Sequence, residues 1–383
     1  MNAQKKEMDQ ARTFIKSGKN FDKAENLMRQ LLKDSANREN EKIHLILFES
    51  IRKQYDQGNE KLYLRQKYDT LNLFVSLRKM FHSLETLDSL DARPDRKGRV
   101  RLNYRKKHAA YLMEHRANLY NGGVFQMLKK QYADGFSFFD TYIDCSNQPL
   151  FSDEHIDSTD QRLPLAAYRA LYCGYQLQDT AKTLKYRQLA LRDTANKSFV
   201  LQYLAETYRM MNDEKKYVCT LRQGFRHDPT FAYFFPRLLE HFTATNQPDS
   251  ALAVVNRVLE ENDTSDIYLF AKSNVLLNNG SYAECIAICD SLIARNDSLA
   301  DAYLNAGLAY MNLAVEMDKI SKSRTKRNQI KAYYKKARPY LEHYRALAPD
   351  QKDKWAPALY NVYLNLNLGK LFDEMDRLLK ENK

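Results

Sequence analysis

The chain has 383 residues, of which 44% are hydrophobic and 28% charged, and a formal net charge of +12. Such a chain can bury a sizeable core and is not disordered as a whole. Glycine and proline number only 11 and 9, about 5% against roughly 12% in average usage, too few turn formers for a sandwich, a barrel or a doubly wound sheet. An all-α protein is expected.

Taken in chain order, Ala11 and Ile15 and then Phe21, Ala24, Leu27, Met28 and Leu31 recur at helical spacing and predict a first helix pair. Residues 39–92 predict a hairpin of two long helices, broken near Gln57-Gly58-Asn59. Residues 99–148 predict another, with Leu119, Gly122 and Gly123 on its first helix and Tyr132, Gly135, Phe139 and Tyr142 on its second. The stretches 92–98 and 148–162 read as loops.

From Pro164 onward the sequence repeats itself, with segments beginning at 164, 198, 232, 266 and 300. The segment from Ser198 places Leu201, Leu204, Ala205 and Tyr208 on one helical face, then Tyr217, Leu221, Gly224 and Pro229. The next repeats the pattern with Phe235, Leu238, Leu239 and Phe242, then Ala251, Val255, Val258 and Asp263. Small residues at matching offsets let two antiparallel helices approach, and a turn residue ends each unit. Trp355 opens a last unit that starts at Lys352, so extra residues must lie around 314–331. They are expected to lengthen both helices of one hairpin around a loop at Ser321–Asn328, with a polar-faced cap closing the chain.

This register resembles the tetratricopeptide repeat family, and the stretch from Trp355 to Gly369 resembles repeat proteins common in Bacteroidetes. The resemblance implies a right-handed α-solenoid of stacked antiparallel hairpins. Residues 1–150 would form irregular hairpins with long helices, and residues 164–383 the regular array. It also implies a non-enzymatic scaffold for protein–protein interaction, a subunit of or adaptor for a cell-envelope complex. Asn2-Ala3-Gln4 resembles the tail of a Bacteroidetes-type export signal, with Met1 an expression start, so a periplasmic location is expected. Free cysteines point mildly toward the cytoplasm instead.

In this family the first helix of each unit lines the inner groove. The matching positions here include Tyr168, Tyr172 and Tyr175, then Gln202, Glu206 and Arg209, then Tyr233, and then Phe270, Asn274 and Asn278. They are expected to hold a partner segment by aromatic anchors and hydrogen bonds. The alternative for each aromatic is packing between units. The family's clamp for a C-terminal carboxylate needs lysine or arginine where this chain has Phe199, Gln202, Tyr233, Pro236, Ile267 and Phe270, so a chaperone-tail receptor is disfavoured.

No phosphate-binding loop, paired-histidine zinc motif, nucleophile elbow or calcium loop occurs, and the eight histidines are scattered. No cofactor, metal or catalytic residue is expected. The five cysteines lack disulfide-framework spacing, and Cys285 with Cys289 reads as two small buried residues on one helical face.

The positive charge is local. Residues 93–107 carry eight basic side chains, among them Arg99, Arg101, Arg105, Lys106 and Lys107, against Asp95 alone. Residues 319–338 carry nine, among them Lys322, Arg324, Lys326 and Arg327, and no acid. The plain reading is solvated helix extensions. The alternative is a cytoplasmic adaptor binding an acidic partner or nucleic acid, with membrane contact only peripheral, through these patches or a partner. No nucleic-acid motif accompanies the charge, which counts against that ligand.

Overall fold

The computed structural model describes residues 2–95, 97–320 and 324–381. The chain is an all-α helical repeat solenoid, and it divides into two compact units, Met1–Thr220 and Leu221–Lys383. The first unit contains α1 (Asn2–Ser17), α2 (Phe21–Leu31), α3 (Glu41–Tyr63), α4 (Thr70–Asp91), α5 (Arg105–Leu128), α6 (Tyr132–Asp144), the single turn α7 (Ile156–Thr159), α8 (Leu163–Gln176), α9 (Thr180–Lys185), α10 (Arg187–Ala190) and α11 (Lys197–Met210). The boundary falls within α12 (Glu214–His227). The second unit continues with α13 (Phe234–Ala244), α14 (Pro248–Glu261), α15 (Asp266–Asn278), α16 (Tyr282–Arg295), α17 (Ala300–Ile320), α18 (Arg324–Leu347), α19 (Lys352–Leu366) and α20 (Gly369–Glu381).

Most helices pack chiefly on a neighbour in sequence, as in stacked hairpins, while α6, α9, α10 and α11 all pack on α8. Seven hairpins share one turn. Arg65, Lys130, Gln178, Asn212, Asn246, Gly280 and Asn367 all have positive φ and directly follow a first helix or its cap. In each case the next amide donates five residues back, as Asp179 does to the Gly174 carbonyl and Asp213 to the Tyr208 carbonyl. This is the Schellman arrangement, which satisfies carbonyls otherwise orphaned at a helix end. Four of these residues, 178, 212, 246 and 280, lie one repeat length apart.

Glycines set the closest helix approaches. A Cβ at Gly174 would lie 2.5 Å from the Thr183 amide nitrogen, so α8 and α9 meet backbone to backbone there. The break expected near Gly58 is corrected: α3 runs unbroken through residues 57–59 to Tyr63, and the turn follows at Arg65. Gly58 serves close packing, because a Cβ would lie 2.5 Å from the Tyr68 ring.

The second helix of the repeat from Pro164 is broken. Tyr186, at φ −111° and ψ 21°, separates α9 from α10, and its hydroxyl donates to Asp140 at 2.7 Å. Within the second unit the hairpin α17/α18 is the long one, 21 and 24 residues against 13 and 14 in α15/α16. Of the loop expected at Ser321–Asn328, residues 321–323 lie outside the described residues, and α18 has begun by Arg324.

Candidate functional site

In the first unit, α8 presents Tyr168, Tyr172 and Tyr175, all half-buried. Two further tyrosines complete the surface, Tyr132 at the start of α6 and Tyr203 on α11. The Tyr132 and Tyr172 ring centroids lie 6.0 Å apart edge to face, Tyr172 and Tyr203 5.6 Å apart, and Tyr175 and Tyr203 4.7 Å apart. Each ring therefore braces the next while keeping part of its area in water. Burial raises the pKa of Tyr168 and Tyr172 and pushes Tyr203 up to about 12, so these hydroxyls stay protonated near neutral pH and can donate. On α11, Gln202 is half-buried, and Glu206 accepts from Arg209 Nη2 at 2.6 Å.

The second unit treats its positions differently. Tyr233 is buried, its ring edge-on to Phe234 at 5.3 Å, with the Arg237 guanidinium 3.8 Å above it. It is a packing residue and does not line a surface. Phe270 is half-buried on α15. Asn274 accepts from the buried Asn305 of α17 at 2.8 Å, and Asn305 also donates to Ser273 Oγ at 3.0 Å. Asn278 lines a cavity of about 50 Å³ with Phe242, Asn246 and Val275.

The basic segments lose part of their charge to the fold. Arg105 is a bidentate partner of Asp88, at 2.8 and 2.7 Å, and ties the start of α5 to α4. Arg99 pairs with Asp95, whose carboxyl also accepts the Arg99 and Lys97 amides and is held below its ordinary pKa chiefly by them. Arg101, Lys106 and Lys107 are exposed, as is Arg327 on α18. Lys326 is half-buried, whereas Lys322 and the side chain of Arg324 lie outside the described residues.

Cys285 and Cys289 are fully buried on α16. Among the described residues no three His, Cys, Asp or Glu side chains gather as a metal site would require. No helix among them is long and apolar enough to cross a membrane.

Two-helix units recur at the repeat length, with the same left-handed turn in seven hairpins and glycine at the closest helix crossings. The fold is a tetratricopeptide-like helical repeat. The sequence matches no family profile and no curated protein. Among solved structures it is similar to the C-terminal part of a tetratricopeptide repeat protein from Cytophaga hutchinsonii, at 13% identity and a TM-score of 0.43, covering 67% of this chain and 92% of that one. A tetratricopeptide protein from Bacteroides fragilis aligns at 16% identity with a TM-score of 0.32, over 69% and 98% of the two chains. PilW, described as a widely conserved type IV pilus biogenesis factor, aligns at 15% identity with a TM-score of 0.36, over 58% and 94%.

Proposed function

We propose that this tetratricopeptide-like chain is a non-enzymatic scaffold that holds an extended segment of a protein partner on the tyrosine surface of α6, α8 and α11. One observation carries the reading: four half-buried tyrosines from three helices brace one another, ring against ring, and keep part of their area in water. Such a surface suits a neutral peptide, since rings supply contact area at little entropic cost and hydroxyls reach its carbonyls. Phe270, Asn274 and Asn278 of α15 are a separate candidate surface within the second unit. We place the scaffold in a cell-envelope complex on the periplasmic side, a placement resting on the resemblance of residues 355–369 to Bacteroidetes repeat proteins.

The test is affinity capture by the full chain from its native host, comparing wild type with the double variant Tyr172→Ala/Phe270→Ala. The partner should be lost while the far-UV circular dichroism spectrum stays unchanged. Unaltered capture would remove the tyrosine surface from the function. A second reading is favoured by Arg327, Lys331 and Lys335, exposed at a four-residue pitch on α18: an adaptor there binds an acidic partner or nucleic acid. Fluorescence titration with RNA and DNA at two salt concentrations separates the two, and a salt-insensitive or missing signal ends the nucleic-acid version.

A further inference from the structure

Large apolar side chains in the first unit are exposed at one recurrent position. Tyr63 and Leu64 stand at the end of α3 with 87% and 55% of their surface in water, Leu128 at the end of α5 with 76%, Leu177 at the end of α8 with 38%, and Met210 and Met211 at the end of α11 with 45% each. All lie one or two residues before the left-handed residue of the hairpin turn. The turn itself does not explain them, because its usual apolar contact involves the residue after the left-handed one, and here those are Gln66, Gln131, Asp179 and Asp213. In the second unit the residues capping α13 and α15 at the same point are the polar Thr245 and Asn279.

These side chains share an edge of the first unit. The helix α4 packs between α3 and α5, α6 packs between α5 and α8, and α8 packs directly on α11. The first helices of successive hairpins therefore run the same way, and their C-terminal ends lie toward one side of the stack. Arg65, Lys67, Lys129, Lys130 and Lys215 stand exposed among the apolar tips. Asp69, Asp179 and Asp213 accept the Leu71, Lys182 and Lys216 amides at the starts of the following helices. The exposed carboxylates in these turns are Glu60, Asp69, Asp134 and Glu214, against those five cations together with Arg209 and Lys216, so the exposed charge of the edge is positive.

We infer that this edge is a docking surface for an anionic phospholipid bilayer. The apolar tips enter the boundary between headgroups and acyl chains, and the cations meet the lipid phosphates. Two features favour lipid over a protein partner. The cores of protein interfaces are depleted in lysine, whereas lysines interleave this row. The tips also come singly from separate helix ends, which suits a fluid apolar phase that needs no shaped pocket. The surface lies at the opposite end of α5 from the basic segment 93–107.

The experiment is co-sedimentation of the full chain with vesicles of phosphatidylcholine alone or mixed with phosphatidylglycerol. The wild type should bind the mixed vesicles and not the neutral ones. The variant Leu64→Ser/Leu128→Ser/Met211→Ser, and separately Lys129→Glu/Lys130→Glu, should each bind on the order of tenfold more weakly, with unchanged circular dichroism. An environment-sensitive fluorophore on Leu128→Cys, in a Cys219→Ser background, should shift to the blue when mixed vesicles are added. The inference is overturned if the wild type does not bind, if the triple serine variant binds as tightly as wild type, or if the fluorophore does not respond. It is equally overturned if sedimentation velocity without lipid shows self-association that the serine variant abolishes, because the edge would then meet a second copy of the chain.

Discussion

Replacing Gly174 by alanine tests whether backbone contact between α8 and α9 holds the tyrosine-bearing helix in place. The new Cβ would lie 2.5 Å from the Thr183 nitrogen, 2.8 Å from the Lys182 carbonyl carbon and 2.9 Å from the Thr183 Cα. Ordinary contacts begin near 3.4 Å, so α9 must retreat by roughly 1 Å, as no flexible side chain can yield in its place. The displaced backbone also carries the N-terminal hydrogen bonds of α9, including the Thr183 amide to the Asp179 carbonyl at 2.9 Å. Overpacking of this kind costs about 1–3 kcal/mol, and the upper half of that range applies where backbone is the obstacle. For a unit of this size each kcal/mol moves Tm by about 2–4 °C, so a fall of roughly 5–10 °C is expected in thermal denaturation followed by circular dichroism. Gly369→Ala is the control: its Cβ meets nothing within 4 Å, and alanine in the first turn of α20 should leave Tm level or slightly higher. A Gly174→Ala protein melting within a degree or two of wild type would refute the packing argument.

Other outcomes can be checked with the same equipment. Lys130 and Gln178 hold left-handed conformations that cost a side chain about 1–2 kcal/mol, so Lys130→Gly and Gln178→Gly should each raise the urea midpoint, by about 0.5–1 kcal/mol once the freer unfolded glycine is counted; a lowered midpoint contradicts the turn assignment. Burial pushes the Glu25 carboxyl up, yet hydrogen bonds from Lys79, Gln54 and Arg29 outweigh it and hold the group below its ordinary 4.5. Its contribution is thus present above pH 4.5 and disappears as pH falls through the depressed value. Urea midpoints measured from pH 6 to pH 3 should fall less steeply in Glu25→Gln than in wild type, and equal slopes would refute this. Asp160 is likewise pushed up by burial but held below its ordinary range by the Tyr142 hydroxyl at 2.6 Å and by Arg116 at 2.6 Å. Because Arg116 is buried, Asp160→Asn leaves an uncompensated charge and should cost about 3–5 kcal/mol at neutral pH, read from chemical denaturation.

The helical periodicity of the sequence was enough to place the hairpins from Pro164 onward, because every unit must put the same face against its neighbours. It misled at Gly58, where a glycine that admits the Tyr68 ring looks in sequence like one that turns the chain. The shared left-handed turn went unread for the opposite reason: only Gly280 of the seven residues adopting it is glycine, and Arg65, Lys130 and Gln178 advertise nothing. For the candidate surface, Tyr168, Tyr172 and Tyr175 follow from their offsets on one helix. Tyr132 and Tyr203 join them through packing between helices, which no spacing within one unit reveals. Charge counting located the basic segments but not that Arg105 is spent on Asp88, since the two are 17 residues apart on different helices.

The interruption at Tyr186 bears on how the first unit comes apart. Segments of six and four residues are far below the length at which a helix sustains itself, so α9 and α10 persist only through their neighbours. A linear stack transmits stability from hairpin to hairpin, and a link this short divides it into separately cooperating stretches. Amides of α9 and α10 should therefore exchange with solvent well ahead of those in α5 and α8, and a protease that cuts this unit internally should find its first purchase there.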